Sequence, residues 1–571
     1  MTPTFPLRAE ADWRRAAEAA LKGAAFEKLV SVTADGLKLG PLHGRAEGAR
    51  ALRADAGPWR ALSRVDHPGA DDFNAQAHED LDNGADGLTL VFAGAGAAHG
   101  FGLAGTLARA LDGLPFDAGA RYVLEIGAPG DALAFAEHVA KAGMAAPEIG
   151  WGLDPLGVCA RGGGAWSLRE AVAGLRVRGG GGALASADGR VVHDAGGTPA
   201  QELAFALAAG VAYLRELEDP AALDFRLAAD ADQFATLAKF RAMRLLWRRV
   251  EEASGLEARP IRLRASSAWR MMTRPEPYVN VMRAAMAAFA AGLGGADDVT
   301  LLAFTQALGL PDAFARRLAR NTQLIELREA RLGFVADPAA GAGGFEALTI
   351  ALCETAWGLF QSFEAAGGLG AALDKGLVQG AVAEAAAALK RDIARAKAPL
   401  TGVSAHPFLG AEPVAVLPDV AALAPQGGMR ALRLSEPVER LRGSARGRQV
   451  FLAAIGPLAA HTRRVGFARE SFETGGIAAI AGTGALNGAA LVAAFRDSGA
   501  EAACLCGTDE AYADHAAAYA AALKGAGARV VYLAGRPGER EAEWAAAGLD
   551  GYVYAGVDLV AALTGFLDRM A

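Results

Sequence analysis

An eight-stranded β/α barrel followed by an open, doubly wound α/β domain is the fold this sequence predicts, and three observations carry the prediction. The first is a long alternation. Short apolar runs at 88–92, 122–126, 148–153, 184–187, 225–227, 261–265 and 334–336 are separated by segments of helical periodicity. Seven such runs spread over roughly 300 residues suit a closed barrel better than an open sheet, with the eighth strand expected within 298–304. The second is the stretch 398–442, which carries Pro399, Pro407, Pro413, Pro418, Pro425, Pro437 and the pair Gly427-Gly428, the composition of an interdomain linker lying along a domain surface. The third is a set of five apolar runs, at 449–455, 477–481, 502–506, 530–533 and 551–553. Four helical segments separate them and a last helix at 557–570 closes the chain, the pattern of a flavodoxin-like sheet that keeps ligands at the C-terminal ends of its strands.

Taken in order, residues 7–27 read as a charged amphipathic helix with Trp13, Ala17, Leu21 and Phe26 on its inner side. Runs 29–33 and 37–39 flank Asp35-Gly36, a strong hairpin signal. Within the alternating region, Gly94-Ala95-Gly96-Ala97-Ala98-His99-Gly100 imitates a nucleotide loop but lacks the spacing of one, so it reads as a turn at the top of a strand. Gly179–Gly182 reads as a flexible loop. One unit organises the rest: a helix over 312–330 opened by Asp312, a strand at 334–336 stopped by Asp337-Pro338, a small-residue loop over 339–344, and a helix over 345–364.

Composition excludes several classes. A chain of 571 residues is too long for one core, and its 52% hydrophobic content supplies two. A formal net charge of −7 argues against nucleic acid, which needs a Lys/Arg-rich face to neutralise phosphates. Cys159, Cys353, Cys504 and Cys506 have no framework spacing and read as small apolar residues in a reducing compartment; Cys504 and Cys506 lack further ligands for a metal. No apolar run of about 20 residues offers a membrane span, and the N-terminus has neither the apolar core of a signal peptide nor the make-up of a transit peptide, so a cytoplasmic location is expected.

The wording of the organising unit is more specific than its pattern. Arg320-Asn321-Thr322-Gln323, then Asp337-Pro338 with Gly341, Glu346 and Leu348-Thr349, then Ala356-Trp357 and Gly367-Gly368, resemble the methylmalonyl-CoA mutase family. The stretches 198–207, 238–247 and 277–283 extend the likeness, which covers roughly 50–571. The resemblance implies a domain plan: a helical arm and hairpin over 1–45, an acyl-CoA mutase-type barrel over 46–397, the Pro-rich linker over 398–445, and a cobalamin-binding-type domain over 446–571. It also implies that an arm such as 7–27 wraps a partner chain.

The family's chemistry, by contrast, is missing from the positions where the resemblance puts it. Its cobalt-ligating D-x-H-x-x-G falls on Ala459-Ala460-His461-Thr462-Arg463-Arg464, where only the histidine survives. Ala459 cannot orient an imidazole, Arg464 would fill space that glycine leaves for the cofactor's nucleotide tail, and His461 is expected as an exposed loop residue. Further on, Cys506-Gly507-Thr508 and Ala534-Gly535 replace a Ser-x-Leu motif and a Gly-Gly pair. In the barrel, the catalytic Tyr-His pair falls on Arg190 and Val191, and Thr300-Leu301-Leu302 stands where the family has His-Thr-Asn. His193 is expected not to contact substrate. These losses match the small, non-catalytic subunit of a heterodimeric mutase, with no catalytic, cofactor or metal residues of its own. Adenosylcobalamin and the acyl-CoA would then sit on a large-subunit partner. Two alternatives stand beside this reading: a self-standing acyl-CoA mutase with a relocated cobalt ligand, and a CoA-thioester binder without catalysis, which a low arginine density at the barrel mouth disfavours.

Overall fold

Strands β1 (Ser31–Val32) and β2 (Lys38–Leu39) form the expected hairpin, with Ser31 opposite Leu39. Its turn is docked on the first domain, because the Asp35 carboxylate accepts from the Ala200 backbone N–H at 3.2 Å. The computed structural model describes residues 9–53, 55–96, 99–102, 105–116, 119–141, 149–418, 427–482 and 487–571. Residues 7–8, Ala97-Ala98, Glu148 and Pro425, on which some of the expectations above fall, lie outside them.

The barrel strands are β3 (Arg60–Val65), β4 (Gly87–Val91), β5 (Arg121–Glu125), β6 (Ile149–Gly150), β7 (Ala185–Asp188), β8 (Leu223–Ala229), β9 (Arg262–Ser267) and β10 (Asp298–Thr300). They pair in parallel in the order β6-β5-β4-β3-β10-β9-β8-β7. A parallel bridge between Leu153 and Ala185 closes the ring beyond β6. Helices such as Pro199–Leu217, Gln233–Ala253 and Gly343–Ala365 cover the outside. The first of these starts where the sequence says it must: Thr198 and Gln201 form a capping box, with Pro199 in the first turn. In β8 the residues alternate. Phe225 packs outward on Trp247, ring centroids 4.7 Å apart, while its neighbours Asp224 and Arg226 join the ion pairs of the interior.

One strand expectation is corrected, and one strand is unexpected. Residues 334–336 are not a strand: Leu332–Phe334 is a 3₁₀ turn, and Phe334 and Val335 are exposed. The place in the ring belongs to β3, paired with β10 on one side and β4 on the other. That strand escapes a hydrophobicity reading because Arg60 and Arg64 punctuate it. The helix over 312–330 is Ala313–Leu324 continued by a π-helical turn, Ile325–Glu329.

The segment after the barrel runs along it, the Leu417 N–H donating to the Leu310 carbonyl at 2.9 Å. It then crosses the barrel mouth, fastened by Met429 N–H to the Ala160 carbonyl (2.8 Å), Leu432 N–H to the Asp194 carbonyl (2.8 Å) and Leu434 N–H to the Arg270 carbonyl (2.9 Å). Helix Glu436–Ala445 follows, and its Leu441 and Ala445 join the second core. Strands β11 (Gln449–Ala454), β12 (Ala478–Ala481), β13 (Ala502–Cys506), β14 (Val530–Ala534) and β15 (Gly551–Val553) form a parallel sheet in the order β12-β11-β13-β14-β15, with apolar cores on both faces.

Candidate functional site

The C-terminal ends of the barrel strands open into a cavity of about 560 Å³. That is the end at which β/α barrels keep their chemistry. Arg64 at the end of β3, Glu125 at the end of β5, Ser266 and Ser267 on β9 and Thr300 on β10 line it, and the crossing segment roofs it with Met429, Arg430 and Arg433.

Arg190 and Val191 both reach this cavity, but Arg190 is committed to the protein. Its guanidinium lies 2.6 Å from Glu125 Oε1 and 2.8 Å from Asp188 Oδ2, and it donates to Ser266 Oγ at 3.1 Å. Glu125 in turn holds Arg64 at 2.9 Å, and Asp188 holds Arg161 at 3.0 Å. Burial alone would raise the Glu125 carboxyl, but Arg190 and Arg64 outweigh it and hold it well below the usual carboxylate range. Burial would likewise lower Arg190, yet Asp188 and Glu125 push it well above its ordinary value. At Val191 the wall presents a buried isopropyl group that can neither donate nor accept.

His193 and the Thr-Leu-Leu stretch contribute no donor triad either, and the imidazole that does line the cavity is that of His99, from the loop after β4. His193 turns away from the cavity: its Nδ1 is 2.9 Å from Glu202 Oε2 and its Nε2 is 3.2 Å from Asp230 Oδ2. Thr300 Oγ1 is hydrogen-bonded to Thr89 Oγ1 at 2.7 Å. Leu302 is apolar wall and Leu301 is buried behind it.

Beneath the mouth, guanidiniums occupy the barrel axis. Arg264 is 2.7 Å from Asp224 and is also paired with Asp298, and Arg226 donates to the Leu124 carbonyl on β5 at 2.9 Å. Two glycines make room for them. A Cβ at Gly150 would stand 2.6 Å from the Arg264 guanidinium, and one at Gly152 would stand 3.2 Å from that of Arg226. The interior is a charge-paired core rather than a passage.

The expectation of few arginines at the mouth is therefore corrected: Arg64, Arg161, Arg190, Arg274, Arg430 and Arg433 all line it. Sequence reasoning missed Arg64 with its strand. Arg161, Arg274 and Arg430 lie on connecting segments whose distance from the mouth no local pattern encodes. The available signal was position: Glu125 and Arg64 stand at or next to the C-terminal end of a strand, and Arg190 shortly after one.

In the second domain, His461 is also corrected. It lies in the helix Leu458–Thr474, not on a loop, and it is buried, its Nδ1 3.1 Å from the Gly456 carbonyl. The helix begins directly after Gly456-Pro457, so the segment aligned with the cobalt motif folds as its first turns. Ala459 brings no polar side-chain atom to this imidazole. Arg464 does fill the strand edge: it donates to the Ala534 carbonyl at 2.7 Å and to Asp509 at 2.6 Å, and its guanidinium lies 5.3 Å from the Tyr512 ring centroid. A Cβ at Gly535 would stand 2.5 Å from it. Tyr512 completes the closure, accepting from the Gly507 N–H at 2.9 Å and donating to the Ala534 carbonyl at 2.8 Å. Cys504 and Cys506 are buried free thiols. Among the described residues no three His, Cys, Asp or Glu side chains gather as a metal site, and no helix is long and apolar enough to cross a membrane.

Fold and site define a two-domain α/β protein in which a β/α barrel with a charged mouth precedes a flavodoxin-like sheet. The methylmalonyl-CoA mutase family profile matches residues 184–418. The chain is 39% identical to the methylmalonyl-CoA mutase small subunit of Streptomyces virginiae, over 99% of this chain and 97% of that one. It is 40% identical to the probable methylmalonyl-CoA mutase small subunit of Mycobacterium tuberculosis H37Rv, over 74% of this chain and 71% of the relative. With the methylmalonyl-CoA mutase of Rhizobium meliloti it shares 36% identity over 41% of this chain and 34% of that one. The chain belongs to the methylmalonyl-CoA mutase family.

Proposed function

We propose that this chain is the non-catalytic small subunit of an adenosylcobalamin-dependent methylmalonyl-CoA mutase, working in the cytoplasm and paired with a large subunit that carries the cofactor and the acyl-CoA. The observation that carries the proposal is Arg190, fixed between Glu125 and Asp188 beside Val191, where the family places its Tyr-His pair. Isomerising a thioester through a radical requires a group that hydrogen-bonds its carbonyl as charge shifts, and Val191 has no such group. Adenosylcobalamin supplies the radical when bound. The residues here do not fit that group: His461 is buried within a helix on the Gly456 carbonyl, and Arg464 occupies the strand edge.

Against the alternative of a competent mutase with a relocated cobalt ligand stands the absence of the Tyr-His pair at Arg190 and Val191, which His193, held between Glu202 and Asp230, does not replace. Thioester binding without catalysis gains from the arginines at the mouth, but the paired guanidiniums in the axis leave no path for a long pantetheine arm through the barrel. Kept core and lost chemistry together favour a chain selected for its surface. Tyr278, Met282 and Met286, one helical turn apart on the helix Val279–Leu293 and at its N-terminal edge, stand exposed as apolar surface such a partner would cover.

The test uses the purified chain with and without the paralogous large subunit. Alone it should run colourless on gel filtration in excess adenosylcobalamin and should not interconvert methylmalonyl-CoA and succinyl-CoA; with the large subunit it should form a 1:1 complex that turns over. A stoichiometric pink fraction whose spectrum changes on His461→Ala, or turnover by the single chain, would overturn the proposal.

A further inference from the structure

Charge bookkeeping around the barrel-mouth cavity leaves two guanidiniums over. Arg64 has Asp66 and Glu125, Arg161 has Asp188, Arg190 has Glu125 and Asp188, and Arg433 has Glu439. The Arg274 guanidinium donates only to the Ala307 carbonyl, at 2.9 Å, while its backbone N–H donates to Glu439 at 3.1 Å, and Arg430 has no hydrogen bond or ion pair among the described residues. Both line the cavity, from opposite parts of the fold: Arg274 from the loop beyond β9, Arg430 from the segment that crosses the mouth. The acidic groups of the lining do not cancel them. Glu125 lies between Arg64 and Arg190, burial pushes the Asp194 carboxyl up, toward its neutral form, and Glu436, which accepts from the Arg433 backbone N–H at 3.1 Å, brings one negative charge against two positive ones.

We infer that this cavity binds a compact anion, a phosphate or a small carboxylate, between Arg274 and Arg430. Its size is that of a small-molecule site. Trp269 and Met429 supply apolar wall, and Ser267 and Gln306 supply polar atoms. The ion pairs in the axis below confine the ligand to the mouth, which selects a short molecule over an extended one. Because Arg430 belongs to the crossing segment and Arg274 to the barrel, the bound anion ties that segment down. Its three backbone hydrogen bonds, made by Met429, Leu432 and Leu434, become harder to open. This consequence does not depend on the chain having a partner or lacking catalysis.

The experiment titrates the full-length chain with inorganic phosphate and, separately, with malonate. Calorimetry measures affinity and hydrogen exchange follows the amides of Met429, Leu432 and Leu434. At least one anion should bind saturably and slow exchange at those three amides, and the Arg274→Gln/Arg430→Gln double variant should weaken binding at least tenfold. Both arginines are exposed, so the variant should keep the parent's thermal midpoint. A preference between phosphate and malonate assigns the ligand's source. Binding of neither anion, binding that the double variant leaves unchanged, or binding without protection of the three amides would each overturn the inference.

Discussion

At the barrel mouth a cavity of about 560 Å³ persists under a roof of chain; at the C-terminal edge of the second sheet a single arginine and a tyrosine have closed the space. Both are places where an α/β fold keeps ligands. The difference lies in what sets their size. Eight closed strands fix the diameter of a barrel, so replacing catalytic side chains there changes the lining and leaves the volume. An open sheet edge is a shallow crevice between loops. One long side chain at 464 reaches the Ala534 carbonyl across it, and the backbone groups a ligand would use become intramolecular partners. In the barrel, Arg226 and Arg264 are buried and Arg190 is partly so, all held by carboxylates or carbonyls, an arrangement that is costly to break and not replaceable one residue at a time.

The comparison predicts that the barrel's ion pairs matter more than the closure of the second domain. The largest effect should come from Arg190→Ala, which leaves Glu125 and Asp188 buried without their shared cation. A loss of about 3–5 kcal/mol is expected by denaturant melts of the barrel; a loss below about 1 kcal/mol would mean that water enters the mouth and solvates them.

Next comes the N-terminal arm. Helix α1 (Glu10–Leu21) has no buried residue, and Trp13, Ala17, Leu21 and Phe26 are only half-buried, with Trp13 edge-on to Phe26 at 6.1 Å. A chain beginning at Lys28 should melt near the parent temperature yet bind the large subunit at least tenfold more weakly, or about 1.4 kcal/mol. If truncation unfolds the isolated chain and leaves the affinity of the folded remainder unchanged, the arm serves the barrel.

An effect of comparable size separates the two regions by pH. Asp154, buried and near the charge of Asp188, has its carboxyl pushed up to about 6. Its folded value lies above its unfolded one, so the folded state binds the proton more tightly. The carboxyl's contribution is therefore present at pH 4 and is lost as pH rises through 6. Asp154→Asn keeps the acceptor for Tyr213 and the Gly157 N–H. It should match the parent at pH 4 and gain roughly 1–3 kcal/mol at pH 8; equal gains at both pH values would point to packing instead.

The smallest expected change is at Arg464→Ala, which removes hydrogen bonds to Ala534 and Asp509 from a partly exposed site and should cost about 1 kcal/mol. Adenosylcobalamin should still fail to bind, since reopening the edge leaves His461 inside its helix. A cobalamin spectrum from this variant alone would show that Arg464 is the whole of the closure.

Sequence by itself determined the two-domain order, the parallel barrel and the five-stranded second sheet. It also singled out Arg190, Val191 and Arg464, because alternation and motif wording are local and can be read without knowledge of contacts. It failed where a strand's inner face is charged: β3 bears Arg60 and Arg64 and reads as polar, while the apolar triplet 334–336 reads as a strand and lies on the surface. Hydrophobicity reports burial only when burial means contact with apolar groups, and inside this barrel it means contact with opposite charge. Only the tertiary structure decided that His461 is helical and buried, that His193 faces Glu202 and Asp230, and that arginines far apart in the chain converge on one cavity. Each depends on which strand neighbours which and on how the segment after the barrel crosses its mouth, distances that no window of neighbouring residues contains.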